Sequence, residues 1–241
     1  MKVFWLLIAL IFSVPIYADG GLWNIESAYF RLCNEGLSIS QNDFYSENNP
    51  SLNDAICSFA DAGTCSFISP NGLLLTNYHL ALNFVRQNST VKNNYIENGF
   101  CAKNLSEEIQ CEGLYITQQI KYIDVTEEIN KEIAKGVSYE KTSKFVIGKL
   151  TPKEDGYKGV IKSQFGGYRY GFYLYRIIGD IRLVYAPPYE IAKYGDEKLN
   201  FMWPRRSADM AIFRAYAKNK DGQKIPFIPS KFISISRKDI K

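Results

Sequence analysis

Histidine is nearly absent from this chain: one residue in 241, His79. Zinc sites are built from several His and Cys ligands. A chain with a single histidine and no Cys-x-x-Cys spacing therefore offers neither an evident metal site nor a dithiol redox motif, and no cofactor is expected. An excess of charge is also missing. Lys and Arg number 29 against 25 acids, a formal net charge of +4, too weak and too scattered to argue for nucleic acid. Long apolar runs are confined to the start of the chain, and no later stretch is long or apolar enough to cross a bilayer. Internal repeats and low-complexity blocks are lacking.

What is present begins with an export signal. Lys2 supplies a positive start, Val3–Val14 an apolar run and Pro15-Ile-Tyr-Ala18 a cleavage site before Asp19. Residues 1–18 are expected to be a signal peptide and residues 19–241 one domain, with a periplasmic product. Cleavage removes one Lys and no acid, so the charge falls from +4 to 4 − 1 = +3. The 5 cysteines, Cys33, Cys57, Cys65, Cys101 and Cys111, are an odd number, so at least one stays unpaired in an oxidising compartment. Cys101 and Cys111 flank a polar loop. Cys57 and Cys65 flank the turn Ala60-Asp-Ala-Gly63, one of the pairings by which two of them could face each other.

The stretch Gly63-Thr-Cys-Ser-Phe-Ile-Ser-Pro-Asn-Gly-Leu-Leu-Leu-Thr-Asn-Tyr-His79 reads as a β-hairpin. One strand runs to Ile68, Pro70-Asn-Gly72 makes the turn, and Leu73–Leu75 delivers His79 just past its end. Before it, the spacing of Leu22, Ile25, Tyr29, Leu32 and Leu37 predicts an amphipathic helix. After it come a helical turn over Ala81–Val85 and an irregular segment with a short helix near Leu105–Ile109. Leu114–Val125 reads as a strand. Thr126 opens a helix with Glu127 and Glu128 in its first turn and Ile129, Ile133 and Val137 on one stripe; Gly136 interrupts it and Ser138 starts another. Lys149–Lys158 reads as charged and flexible. The aromatic run from Phe165 to Ile178 alternates as a half-buried strand does, rather than as a base-stacking platform. Ile181–Val184, Met210–Ala217 and Lys231–Ser236 complete the strands.

Several blocks in series resemble the bacterial exported dipeptidyl-peptidase 7 and 11 family, serine peptidases that remove dipeptides from free N-termini. They are Asp19-Gly-Gly-Leu-Trp, the hairpin through Thr76-Asn-Tyr-His79, Asn98-Gly-Phe-Cys-Ala-Lys, Ile123-Asp-Val-Thr, Asp180-Ile-Arg-Leu-Val-Tyr-Ala-Pro-Pro, and Asn200-Phe-Met-Trp-Pro-Arg-Arg-Ser-Ala-Asp209-Met-Ala-Ile-Phe-Arg. The resemblance implies a mostly β chain with some helix: a trypsin-like (chymotrypsin-type) β-barrel, the N-terminal barrel of a double-barrel peptidase, with a helical excursion near 127–148. It implies His79 as general base and Asp209 as the carboxylate that orients it, with Asn200 and Phe201 at the substrate's α-amino group and peptides as partners.

Departures from the family pattern are also visible. Tyr78 and Leu80 stand where the family has a histidine and a bridging cysteine, which by the resemblance leaves Cys65 without that partner. Arg206 stands where a histidine is usual, and Phe201 where a tryptophan is. Family members insert a helical domain and carry the nucleophile in Gly-Asn-Ser-Gly on a second barrel; no serine here has that setting. The expectation is a truncated or split chain, inactive alone, whose complement is a C-terminal half. The alternative is a retained non-catalytic exported module that binds peptides or associates with a full-length paralogue. The segments Asn200–Trp203 and Met210–Phe213 are expected to border the seam that a second barrel covers, exposing an apolar surface around Trp203.

Overall fold

The computed structural model describes residues 25–46, 49–193 and 207–236. The expected signal peptide, the Asp19 block, Asn200, Phe201, Trp203 and Arg206 lie outside the described residues. The chain divides into two compact units, Met1–Gln41 and Asn42–Lys241. In the first, helix α1 (Ile25–Asn34) occupies the segment whose periodicity predicts it. It ends at Gly36, whose positive φ lets Leu37 N–H reach back to the Leu32 carbonyl, a glycine-terminated helix end.

The second unit is built on antiparallel pairs. In chain order its strands are β1 (Ile56–Phe59), β2 (Gly63–Phe67), β3 (Leu73–Thr76), β4 (Phe100–Cys101), β5 (Ile109–Gln110), β6 (Ile116–Asp124), β7 (Tyr157–Gln164), β8 (Arg169–Ile178), β9 (Asp180–Ala186), β10 (Ala211–Lys218) and β11 (Lys224–Pro226). They lie in the order β4-β9-β10-β3-β2-β1-β6-β8-β7, with β11 on β10 and β5 on β9. The connection between β8 and β9 bends this path back on itself. Ile178 pairs with Ile116 on β6 while Asp180 pairs with Tyr216 on β10, and only Gly179 stands between them. One residue thus brings together strands that are far apart in the pairing order, the arrangement of a closed barrel.

The barrel interior explains the alternation along its strands. Phe59, Phe67, Leu74, Ile116, Ile181, Leu183 and Phe213 are fully buried in one cluster. Their neighbours one residue along point outward, as a period of two requires. At the β2–β3 turn the Ser69 hydroxyl accepts from the N–H groups of Asn71 and Leu73. Gly72 sits at φ +71, where a Cβ would press on the carbonyl oxygens of Phe227 and Ala215. Glycine is required there by both backbone conformation and space.

A second, smaller core lies beside the barrel. Helices α4 (Thr126–Ala134) and α5 (Tyr139–Leu150) fill the expected helical excursion, and two further helices, α2 (Tyr78–Asn88) and α3 (Tyr95–Asn98), precede them. Gly136, at positive φ, separates α4 from α5, and the Ser138 hydroxyl caps α5 by accepting from Lys141 N–H. Val125, Ile129, Val146, Phe172 and Leu174 pack together between these helices and the β7–β8 hairpin. Ile133, expected on the same stripe, is exposed.

Four local expectations are corrected. Leu105–Ile109 forms no helix; Ile109 instead opens β5, and the loop before it is held by Asn104 and Glu107. The charged segment after Leu150 gives way at Tyr157 to the eight-residue strand β7. The turn expected over Ala81–Val85 is part of the longer helix α2. Lys231–Ser236 is not a strand; Ile233 N–H donates to the Phe67 carbonyl, but no ladder forms there.

Candidate active site

β3 and β10 run antiparallel with Thr76 opposite Ala211. The residues just past the end of β3 therefore meet those just before the start of β10. That register brings His79 and Asp209 together across 130 positions of sequence. His79 Nδ1 lies 2.8 Å from Asp209 Oδ2, and the His79 backbone N–H donates to Asp209 Oδ1 at 3.0 Å. The carboxylate thus holds the imidazole with one oxygen and a first-turn N–H of α2 with the other. Such N–H groups have no partner within their own helix and favour an anion.

Asn77 completes this arrangement, and sequence reasoning gave it no role. It precedes α2 at the cap position, yet its side chain makes no cap hydrogen bond. Nδ2 instead donates to the Asp209 carbonyl and to Oδ2, both at 3.3 Å. An asparagine at a helix start is ordinarily read as a cap, so only the register of β10 on β3 reveals its other use. Further anchoring comes from Ala208 N–H, which donates to Ile191 O at the helical turn α6 (Tyr189–Ala192).

With Nδ1–H directed at Asp209, Nε2 is the free acceptor of the ring, and among the described residues it has no hydrogen-bond partner. The His79 side chain is 46% exposed and that of Asp209 12%. A shielded carboxylate and an open imidazole can take a proton from an approaching hydroxyl and hold the charge that results. Tyr78 points the other way. It is fully buried in the barrel core beside Tyr189, and burial pushes its hydroxyl above the ordinary tyrosine range. The replacement of a family histidine by Tyr78 therefore falls on the core side of α2, away from the Asp209 contact.

The neighbouring cysteines face each other across the turn that separates them. The Leu80 side chain lies over Gly63, where any added Cβ would collide with it. Cys65 is not left facing a vacated position, because it sits directly opposite Cys57. Next to Asp209, Met210 is 38% exposed, and Ile191, whose carbonyl holds Ala208, is 54% exposed. Phe213, expected at the same border, is instead fully buried in the barrel.

The match to known proteins is broad along this chain. The Peptidase S46 family model covers residues 18–241. This chain belongs to the peptidase S46 family. The S46 chain is 32% identical to the Asp/Glu-specific dipeptidyl-peptidase of Porphyromonas endodontalis, over 98% of its own length and 36% of that protein's. It is 32% identical to dipeptidyl-peptidase 7 of Phocaeicola vulgatus, over 100% of its length and 37% of the relative's. Among solved structures, the crystal structure of Porphyromonas endodontalis DPP11 in complex with the dipeptide Arg-Glu superposes with a TM-score of 0.82. The identity there is 32%, covering 92% of this chain and 36% of that one. The S46 chain thus spans about a third of the length of the relatives it matches, and it shares their barrel-type fold throughout that third.

Proposed function

We propose that this chain carries the proton-handling half of a serine-type dipeptidyl-peptidase site. His79 is the general base, Asp209 orients it, and Asn200 and Phe201 hold the free amino group of a peptide substrate. The observation that carries the reading is the 2.8 Å Nδ1–Oδ2 contact with the second ring nitrogen left open. In this scheme Nε2 accepts the proton of a serine hydroxyl as its oxygen bonds to the substrate carbonyl carbon. The same proton passes to the leaving amine when the C–N bond breaks, and water repeats the sequence to free the dipeptide.

No serine among the 241 residues lies in a Gly-Asn-Ser-Gly setting, and Ser69 is committed to the β2–β3 turn. The reading therefore assigns the nucleophile to polypeptide outside residues 1–241. Residues 1–18 direct export, and residues 19–241 act in the periplasm as the N-terminal barrel domain.

The test is dipeptide release from chromogenic substrates. The chain alone should give background. Joined to a polypeptide carrying the serine half of an S46 relative, it should release dipeptides. His79→Ala in that assembly should lower the rate on the order of 10⁴-fold or more. Unchanged release by His79→Ala would remove the base assignment. Turnover by the chain alone, blocked by a serine-directed phosphonate, would place the nucleophile among its own serines, Ser66 or Ser207 first.

A further inference from the structure

We infer that Cys57 and Cys65 are a disulfide site, a cross-strand bridge within the first hairpin that forms as the chain folds in an oxidising compartment. β1 and β2 pair in a register that sets the two residues directly opposite each other. Opposite residues on antiparallel strands have Cα atoms about 4.5–5.5 Å apart, inside the roughly 4.4–6.8 Å that a disulfide spans. Both side chains enter the barrel core, each 2% exposed. The two thiols therefore face one another inside the barrel.

Cys101 and Cys111 are set apart from each other. Cys101 on β4 pairs with Tyr185, whereas Cys111 N–H bonds to the Ile181 carbonyl on the same strand. Four residues of β9, about 13 Å, separate those points, beyond the reach of a bridge without backbone movement. Cys101 is exposed and Cys111 is buried, so they also differ in surroundings. The polar-loop pairing left open by the sequence is therefore disfavoured, and the turn pairing is the one the register supports.

The chemistry is thiol–disulfide exchange with a disulfide oxidant, for which oxidised glutathione serves as the probe. Cys57 Sγ and Cys65 Sγ each give up a hydrogen and form one S–S bond. The two electrons and two protons convert the oxidant's disulfide into two thiols. Timing follows from burial. In the folded barrel the Cys65 thiol is held far above its ordinary range by its hydrogen bond to Cys57 and by burial, so it supplies almost no thiolate. Oxidation therefore belongs to the open hairpin, before β3, β6 and β10 cover it. The finished bond is structural rather than a reversible switch.

The experiment refolds the reduced, denatured full chain in oxidised glutathione, then alkylates it in denaturant and cleaves it before aspartate. Asp61 lies between the two cysteines, so cleavage there separates them. The fragment from Asp54 to Ala60 should stay joined to the fragment beginning at Asp61 until reductant is added, with two hydrogens fewer than the alkylatable pair. The oxidised chain should melt roughly 5–10 °C above the reduced one. Alkylation of both cysteines, or linkage of either to Cys33, Cys101 or Cys111, overturns the proposal. The mapping is made on the unmodified sequence, so no variant has to fold for it to be read.

Discussion

The barrel and the smaller core beside it share strands β6 and β8 but are put together in opposite ways. The smaller core is contiguous in sequence. β6, α4, α5, β7 and β8 follow one another, and each packs on an element nearby in the chain. The barrel is assembled from segments far apart, with β10 inserted between β3 and β9. Its fully buried phenylalanines come from β1, β2 and β10, and Phe59 and Phe213 meet at 5.2 Å between ring centroids. The His79–Asp209 contact sits on the barrel's long-range seam, while the local module contributes no residue to it. The candidate site is thus attached to the part of the molecule with the longest-range contacts.

The sharpest way to break that contrast is at the seam itself. Phe213→Ala should cost about 3–5 kcal/mol, because it leaves a cavity in the barrel centre. The expected outcome is loss of the cooperative melt together with the imidazole–carboxylate contact. Ile129→Ala empties the smaller core and should cost about 2–5 kcal/mol. Amide exchange should accelerate across residues 120–178 and leave β3 and β10 protected. If protection fell everywhere at once, the two cores would be one cooperative unit and the distinction would collapse.

Asp209→Ala comes next. It removes the acceptor for the His79 ring and backbone N–H groups and for Asn77, at about 1–3 kcal/mol. Since His79 is the only histidine, its Nδ1–H should give a single downfield proton resonance that disappears in this variant. Asn77→Ala takes away only one donor side chain. It should cost about 1 kcal/mol, with the resonance shifted or broadened rather than lost.

A further effect is expected at alkaline pH. Burial, reinforced by a hydrogen bond to Glu108, pushes the Tyr216 hydroxyl from 10.0 up to about 12. A raised folded-state value contributes stability that is intact below pH 10 and is lost as pH rises through about 12. Tyr216→Phe should flatten the melting temperature over that interval.

The residues reveal the parts of this molecule whose signals are local. The Pro70–Gly72 turn marks the hairpin, Gly136 and Ser138 mark the break between α4 and α5, and the acidic start of α4 is readable from Glu127 and Glu128. Signals that depend on register are not. The Asn77 side chain looks like a helix cap until β10 brings Asp209 against it. Cys57 and Cys65 have several formal partners until β1 and β2 are aligned. Lys231–Ser236 alternates as a strand does, but alternation describes which face is buried, and a ladder also needs a free edge. At that place the chain makes a single backbone bond to Phe67.

The one-residue link at Gly179 also dictates an order of events. β1, β2 and β3 are complete, with His79 at their end, long before β10 is available. A chain made from its N-terminus presents a bare imidazole first and its carboxylate 130 residues later. Closing so long a loop is slow compared with zipping a hairpin. β8 leads directly into β9, so the strand that receives β10 is in place just before β10 arrives. The imidazole–carboxylate contact thus has to wait for the segment that leads into β10. A partly folded chain holding every residue of the hairpin would still lack the imidazole–carboxylate pair.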